Sequence, residues 1–307
     1  YDTVAKILLD NGWTISTVDP CLYQYKSKST GIIDCEMIIH VDDGLGFAKD
    51  KHTALRVKQL LEKHFELTWE MPEIGVEFEF IGYEIVQLEE CFELRQSQFV
   101  KAKLSEVDVS GRKPTAFITE EERGGMRSLV GQLRWVHRVC IIIGYELARG
   151  GSWMSNSECT IMHLNRLNKL VRILKRTPPV LMLPRLSKDL PLHAISIGDA
   201  GEPQDDAIFR GKWHGSYCVG ISNRVAEESP YNPLEHPKNQ RPFCPIIWHS
   251  GLTRRVANAS FDGEALISVE ASDAGLAVQA HLEEVECGVR QTLLDRRMTG
   301  AGYLERR

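Results

Sequence analysis

The stretch Met37-Ile38-Ile39-His40-Val41-Asp42-Asp43-Gly44-Leu45-Gly46-Phe47-Ala48 constrains this chain more than any other. An apolar β run stops at two adjacent aspartates and resumes as a Gly-spaced apolar run. Asp and Gly form turns, and the flanks are β-branched or apolar. The expected unit is a hairpin with both carboxylates exposed where the strands reverse. Paired carboxylates on a strand end suit hard Mg²⁺, which takes oxygen ligands and keeps its other positions for water and phosphate. Phosphoryl transfer by two metals roughly 3.5–4 Å apart uses such acids. Taken alone, an Asp-Asp-Gly string far more often describes a solvated turn.

Charge adds a second constraint. The net charge of −5 argues against polyanions, because Lys and Arg supply phosphate contacts. Its distribution argues the other way. Arg123 to Lys188 holds twelve Lys or Arg against Glu146 and Glu158, whereas Glu66 to Glu93 holds nine acids and no base. A basic middle between acidic flanks offers a polyanion somewhere to lie, the alternative being a solvated basic face on a helical bundle. At 307 residues, 43% hydrophobic and 26% charged, the chain has the composition of a globular protein with two or three domains. The longest wholly apolar stretches, such as Val139 to Gly144, fall far short of the ~20 residues that cross a bilayer. With no charged-then-apolar opening, the expectation is an intracellular protein, cytoplasmic or nuclear, with no membrane partner. Eight scattered cysteines without a Cys-x-x-Cys pair imply free, mostly buried thiols and no zinc.

Periodicity gives the organisation. Strands are expected at Leu22 to Tyr25, Met37 to Val41, Leu45 to Ala48, Val76 to Val86 and Cys91 to Arg95. An amphipathic helix spans Lys51 to Phe65, with Val57, Leu60, Leu61 and Phe65 on one face. From Ser97 the pattern is helical: Ser97 to Leu104, Glu120 to His137 and Asn156 to Arg176, with Gly150-Gly151-Ser152 as a break. Met162, Leu167, Leu170, Val171 and Leu174 are expected to face inward, and His163, Arg166, Lys169, Lys175 and Arg176 outward. Thr177-Pro178-Pro179 ends the last helix and begins a linker. Beyond it, strands at Leu192 to Ile197, Trp213 to Ile221 and Cys244 to Trp248 precede a helix from Ser260 toward Glu284. A Pro-, Asn- and Glu-rich excursion, 226–241, interrupts them.

Around the aspartates stand further phrases: Ser16 with Asp19-Pro20-Cys21-Leu22-Tyr23, then Phe80-Ile81-Gly82-Tyr83-Glu84-Ile85, Arg95-Gln96-Ser97-Gln98-Phe99 and Met126-Arg127-Ser128-Leu129-Val130-Gly131-Gln132-Leu133. In this order and spacing the series resembles the polyprotein of copia-type LTR retrotransposons. Tyr-Val-Asp-Asp is that family's reverse transcriptase motif, and Phe-Leu-Gly-x-x-Ile, Ser-Gln-x-x-Tyr and Tyr-Arg-Ser-x-Val-Gly-x-Leu follow it. His40 stands where the family usually has Tyr. Ile197-Gly198-Asp199-Ala200 and Ser260-Phe261-Asp262-Gly263-Glu264-Ala265 resemble the opening of the family's ribonuclease H domain.

The resemblance implies an α+β chain: a partial reverse transcriptase palm (1–110), a helical thumb or connection (111–189), an incomplete ribonuclease H-like mixed sheet with helix (190–285) and an unassigned tail (286–307). It implies Asp42 and Asp43, with Asp199 and Glu264, as catalytic metal ligands for Mg²⁺ or Mn²⁺ in the complete protein. Arg166, Lys169, Lys175 and Arg176 would contact an RNA–DNA hybrid or duplex. The family's third palm carboxylate lies upstream of the first helix here, and its later ribonuclease H aspartates have no match. Asp273, on the far side of the Glu264 helix, reads as surface, and Asp205 and Asp206 as loop acids. The parent activity is RNA-directed DNA polymerisation with ribonuclease H, and this chain alone is expected to be inactive. The alternatives are a non-catalytic nucleic-acid-binding remnant and a ribonuclease H-type metal-dependent nuclease.

Overall fold

Three antiparallel sheets and seven α-helices make up the described residues of the computed structural model, which are 2–27, 29–154, 157–201, 213–223, 242–253 and 260–287. The expected α+β class is therefore observed. The excursion at 226–241, Asp205, Asp206 and the tail from 288 onward lie outside the described residues. The chain divides into two compact units. One holds the described residues among 1–73, 191–194 and 275–307; the other holds those among 74–190 and 195–274.

In the first unit, helix α1 (Asp2–Asp10) leads into a sheet of β1 (Trp13–Ile15), β2 (Leu22–Lys26), β3 (Ile33–His40) and β4 (Asp43–Ala48), paired in sequence order. Gly12, at φ +86, turns the chain between α1 and β1 where a side chain would strain the backbone. Helix α2 (Lys51–Glu62) follows, its first turn capped by the Asp50 carboxylate accepting from the Thr53 amide at 2.7 Å. Cys35, Met37 and Ile39 alternate along β3 onto one face and pack with Leu8, Val57 and Leu61. The other side chains of β3 therefore point away from that core. The last part of the C-terminal helix, from Gly275 on, also belongs to this unit. There the buried Glu284 carboxylate accepts from the Ser16 hydroxyl at 2.6 Å and the Thr17 amide at 2.9 Å.

The second unit opens with β5 (Glu77–Phe80), β6 (Tyr83–Gln87) and β7 (Cys91–Arg95). The expected single strand from Val76 to Val86 is thus a hairpin, because Ile81 (φ +43) and Gly82 (φ +79) form a two-residue turn of type I′ character. Helices α3 (Ser97–Ala102), α4 (Glu120–Val136), α5 (Gly144–Met154) and α6 (Ile161–Arg176) come next, with a short 3₁₀ turn at Ile141–Ile143. They enclose the main core, built from Leu104, Met126, Leu133, Trp153, Leu164 and Leu167 among others. Each such aliphatic stabilises the fold by about 1.5–3 kcal/mol on full burial.

Two expectations about this region fail for packing reasons. Gly150-Gly151-Ser152 is not a break but lies inside α5. A Cβ on Gly150 would stand 3.0 Å from Leu167 and 3.3 Å from Val130, so glycine serves close helix approach. The segment after Pro179 is not simply a linker, since β8 (Val180–Pro184) pairs with β7 from Cys91↔Pro184 to Arg95↔Val180. That pairing groups β5–β7 with the helical region.

The third sheet runs β11 (Phe243–Leu252), β10 (His214–Ser222), β9 (His193–Gly201), and the first part of α7 (Ser260–Cys287), up to Ala274, lies on one face of it. Packing there is close enough that a Cβ on Gly198 would meet Ile267 at 3.1 Å, and one on Gly215 would collide with Ile267. On the opposite face, Trp248 donates to the His137 carbonyl at 3.0 Å and His214 lies edge-on to Tyr145, with centroids 4.6 Å apart.

Candidate functional site

The pairs Ile38↔Leu45, Ile39↔Gly44 and His40↔Asp43 leave Val41 and Asp42 as a two-residue loop. Val41 has φ +57, whereas Asp42 is not left-handed, a type II′ pattern that favours glycine at the first position. A β-branched residue there is a genuine outlier, of order 1–3 kcal/mol, and such strain clusters at functional sites. Sequence reading misses it, since nothing in the residue types marks Val41 as strained. Asp43 lies directly opposite His40, so it shares the face of Ile38 and Glu36, turned away from the helices. His40, Asp42 and Asp43 are all exposed, and neither aspartate has an ion pair or hydrogen bond among the described residues.

Two adjacent carboxylates without partners among the described residues are the donor type that a hard divalent ion takes. No group of three His, Cys, Asp or Glu poised to hold a metal occurs among the described residues. Two carboxylates leave most positions of an octahedral ion to water and phosphate, the arrangement Mg²⁺ tolerates best.

Asp199 and Glu264 are not brought together in the same way. Gly198 faces α7, with Ala271 at 3.5 Å from its Cβ position, so strand alternation turns Asp199 to the opposite face of the sheet. Glu264 lies on α7 and is exposed, seven residues before Ala271 and so on the same helix stripe. The strand parity that seats Gly198 beneath Ile267 thus turns Asp199 away from the helix that carries Glu264.

The basic residues divide into engaged and available groups. Arg166 pairs with Glu146 at 2.6 Å and stacks on Trp153, its Cζ 5.5 Å from the ring centroid. Arg172 is held by Glu106 at 2.7 Å, and Arg123 by Glu120 and the Met154 carbonyl. Lys169, Lys175 and Arg176 are exposed on α6 with no partner among the described residues. Lys169 and Arg176 share one stripe, seven residues apart, whereas Lys175 lies about 120° round the helix. His163 is buried rather than outward, because its Nδ1 accepts from the Thr160 amide at 3.0 Å and completes the helix cap. Met162, expected inside, is 54% exposed.

The Phe80-to-Ile85 phrase carries a second strained tip. Ile81 is the other non-glycine at positive φ among the described residues, and a Cβ on Gly82 would stand 3.3 Å from Trp135, whose ring is tilted against Tyr83 with centroids 5.4 Å apart. Behind it the buried Glu84 carboxylate accepts from the Ser97 and Gln98 amides at 3.2 and 2.6 Å, fixing the start of α3.

No family model, no curated protein and no solved structure matches this chain.

Proposed function

We propose that this chain is part of a copia-type reverse transcriptase, comprising palm, connection and ribonuclease H-like segments. In the complete protein Asp42 and Asp43 would present Mg²⁺ to a nucleic-acid end. The carrying observation is the hairpin tip, where two unpaired carboxylates follow a valine at φ +57 on a sheet backed by α1 and α2. A solvated turn has no need to hold a β-branched residue there, whereas a metal-presenting tip benefits from a fixed aim. Strand order β11-β10-β9 followed by a helix on one face is compatible with the opening of a ribonuclease H-like fold. Lys169, Lys175 and Arg176 supply unpaired positive charge for a hybrid backbone.

The residues act by presentation rather than by acid–base exchange. Asp42 and Asp43 orient the ion and the rigid sheet limits their swing, while the bound metal would supply Lewis-acid activation of phosphoryl oxygens. With two carboxylates and no third beside them among the described residues, the chain alone binds the ion weakly and does not extend a primer. Electron paramagnetic resonance of Mn²⁺, titrated with and without an RNA–DNA hybrid, tests this reading. Expected is one weak site lost in Asp42→Asn and Asp43→Asn and tightened by the hybrid. Mn²⁺ uptake that neither variant changes would return the tip to a solvated turn.

A further inference from the structure

In the second unit, α4, α5, the β10–β11 edge and α7 surround an open cavity of about 540 Å³ that none of the candidate site residues above lines. Arg134 lines one side. It has no ion pair or hydrogen bond among the described residues, and its Nη2 lies 3.5 Å from where Gly151 would carry a Cβ. His249 lines another side, its Nε2 only 2.8 Å from the Cβ position of Gly251. Gly251 must therefore stay bare for the imidazole to lie where it does, and Gly151 leaves the backbone open beneath the guanidinium. The Tyr217 ring stands beside His249, with centroids 5.6 Å apart and planes 35° apart. Glu270 of α7 completes the lining and has no partner among the described residues.

A guanidinium and an imidazole lining one cavity, each beside a glycine's bare backbone, suit a tetrahedral anion, because Arg meets phosphate oxygens with a fixed fork of donors. The free carboxylate would repel a bare anion, but it accepts hydrogen bonds from hydroxyls. An aromatic wall offers a face to a flat ring. The volume lies within the range of small-molecule pockets. We propose that this cavity binds a nucleoside monophosphate, with the phosphate on Arg134 and His249, a ribose hydroxyl on Glu270 and the base against Tyr217.

Isothermal titration calorimetry with adenosine 5′-monophosphate and, separately, inorganic phosphate tests the assignment on the full chain. Expected is binding of both, the nucleotide the tighter. Arg134→Gln should weaken both by about tenfold or more, as loss of charge-assisted hydrogen bonds implies, and Arg134→Lys by less. Glu270→Gln should weaken the nucleotide several-fold and leave phosphate unchanged or tighter. Circular dichroism of each variant establishes that it is folded, and Arg134 is exposed, so its replacement leaves the core intact. Absence of nucleotide binding by wild type overturns the proposal, as does a folded Arg134→Gln protein of undiminished affinity. Phosphate binding as tight as that of the nucleotide overturns the nucleoside part.

Discussion

Replacing Val41 by Gly tests whether the carboxylate hairpin is held under strain. At φ +57 an L-residue with a Cβ sits in a region costing about 1–2 kcal/mol, with β-branching toward or above the upper end. Val41 is 71% exposed, so its removal forfeits only about 0.5 kcal/mol of burial. Glycine's extra freedom in the unfolded chain opposes the gain by about 0.5–1 kcal/mol. The net expectation is a first unit more stable by about 0.5–1 kcal/mol, an unusual sign for a Val→Gly change. Native-state hydrogen exchange at the Ile38 and Leu45 amides, which lie opposite each other across the hairpin, reads the effect locally. Val41→Asn, which tolerates the left-handed region, should fall between glycine and wild type. Slower exchange in Val41→Gly together with weaker Mn²⁺ uptake would show strain retained for aim. Faster exchange in the glycine variant would refute the strained tip and the functional reading built on it.

Acid should weaken the second unit through His214. Burial first, then Arg149 and His249, lower its pKa from 6.5 to about 4. The unfolded chain therefore binds the extra proton between those values, and stability is lost as pH falls from 6.5 through about 4. The drop corresponds to about 2–3 kcal/mol after allowance for screening at the ring edge. Urea midpoints across this range should fall less steeply in His214→Gln, and an equal slope would remove His214 as the cause. Glu84→Gln should destabilise the α3 junction by about 1–2 kcal/mol, since its carboxylate accepts from two helix-start amides. Unchanged urea unfolding would show those bonds to contribute nothing net. Lys169→Ala, Lys175→Ala and Arg176→Ala together should flatten log hybrid affinity against log salt by about 0.9 for each phosphate no longer neutralised. The same measurement on Arg166→Ala should show little flattening, because Arg166 already pairs with Glu146.

Residue types carry the hairpin and the helical middle because their signals are local. Asp and Gly between apolar runs mark a reversal, and the Val57, Leu60 and Leu61 spacing marks α2 whatever surrounds it. What stays hidden depends on partners distant in sequence. Gly150 looks like a helix breaker until Leu167 is seen pressed against it, and Val180–Pro184 looks like a linker until β7 pairs with it. Ile81-Gly82 lacks the Asn or Asp that usually announces a tight turn, so the pattern reads as one strand where two occur. In the ribonuclease H-like segment the residue order suggests that Asp199 and Glu264 meet. Which way a strand faces depends on packing, however, and Gly198 rather than Asp199 lies beneath α7. The number of basic residues likewise holds no information on which guanidiniums already face a carboxylate, as Arg166 and Arg172 do.

Iron-directed cleavage most directly tests whether Asp42 and Asp43 present a divalent ion. With Fe²⁺ in place of Mg²⁺ and peroxide with ascorbate added, hydroxyl radicals form at the bound ion and cut the nearest backbone. Mass spectrometry of the fragments should place the cuts around His40 to Gly44, tightened by an RNA–DNA hybrid and abolished in Asp42→Asn and Asp43→Asn. Cuts that map elsewhere, or that persist at the hairpin in both variants, would contradict a metal-presenting tip.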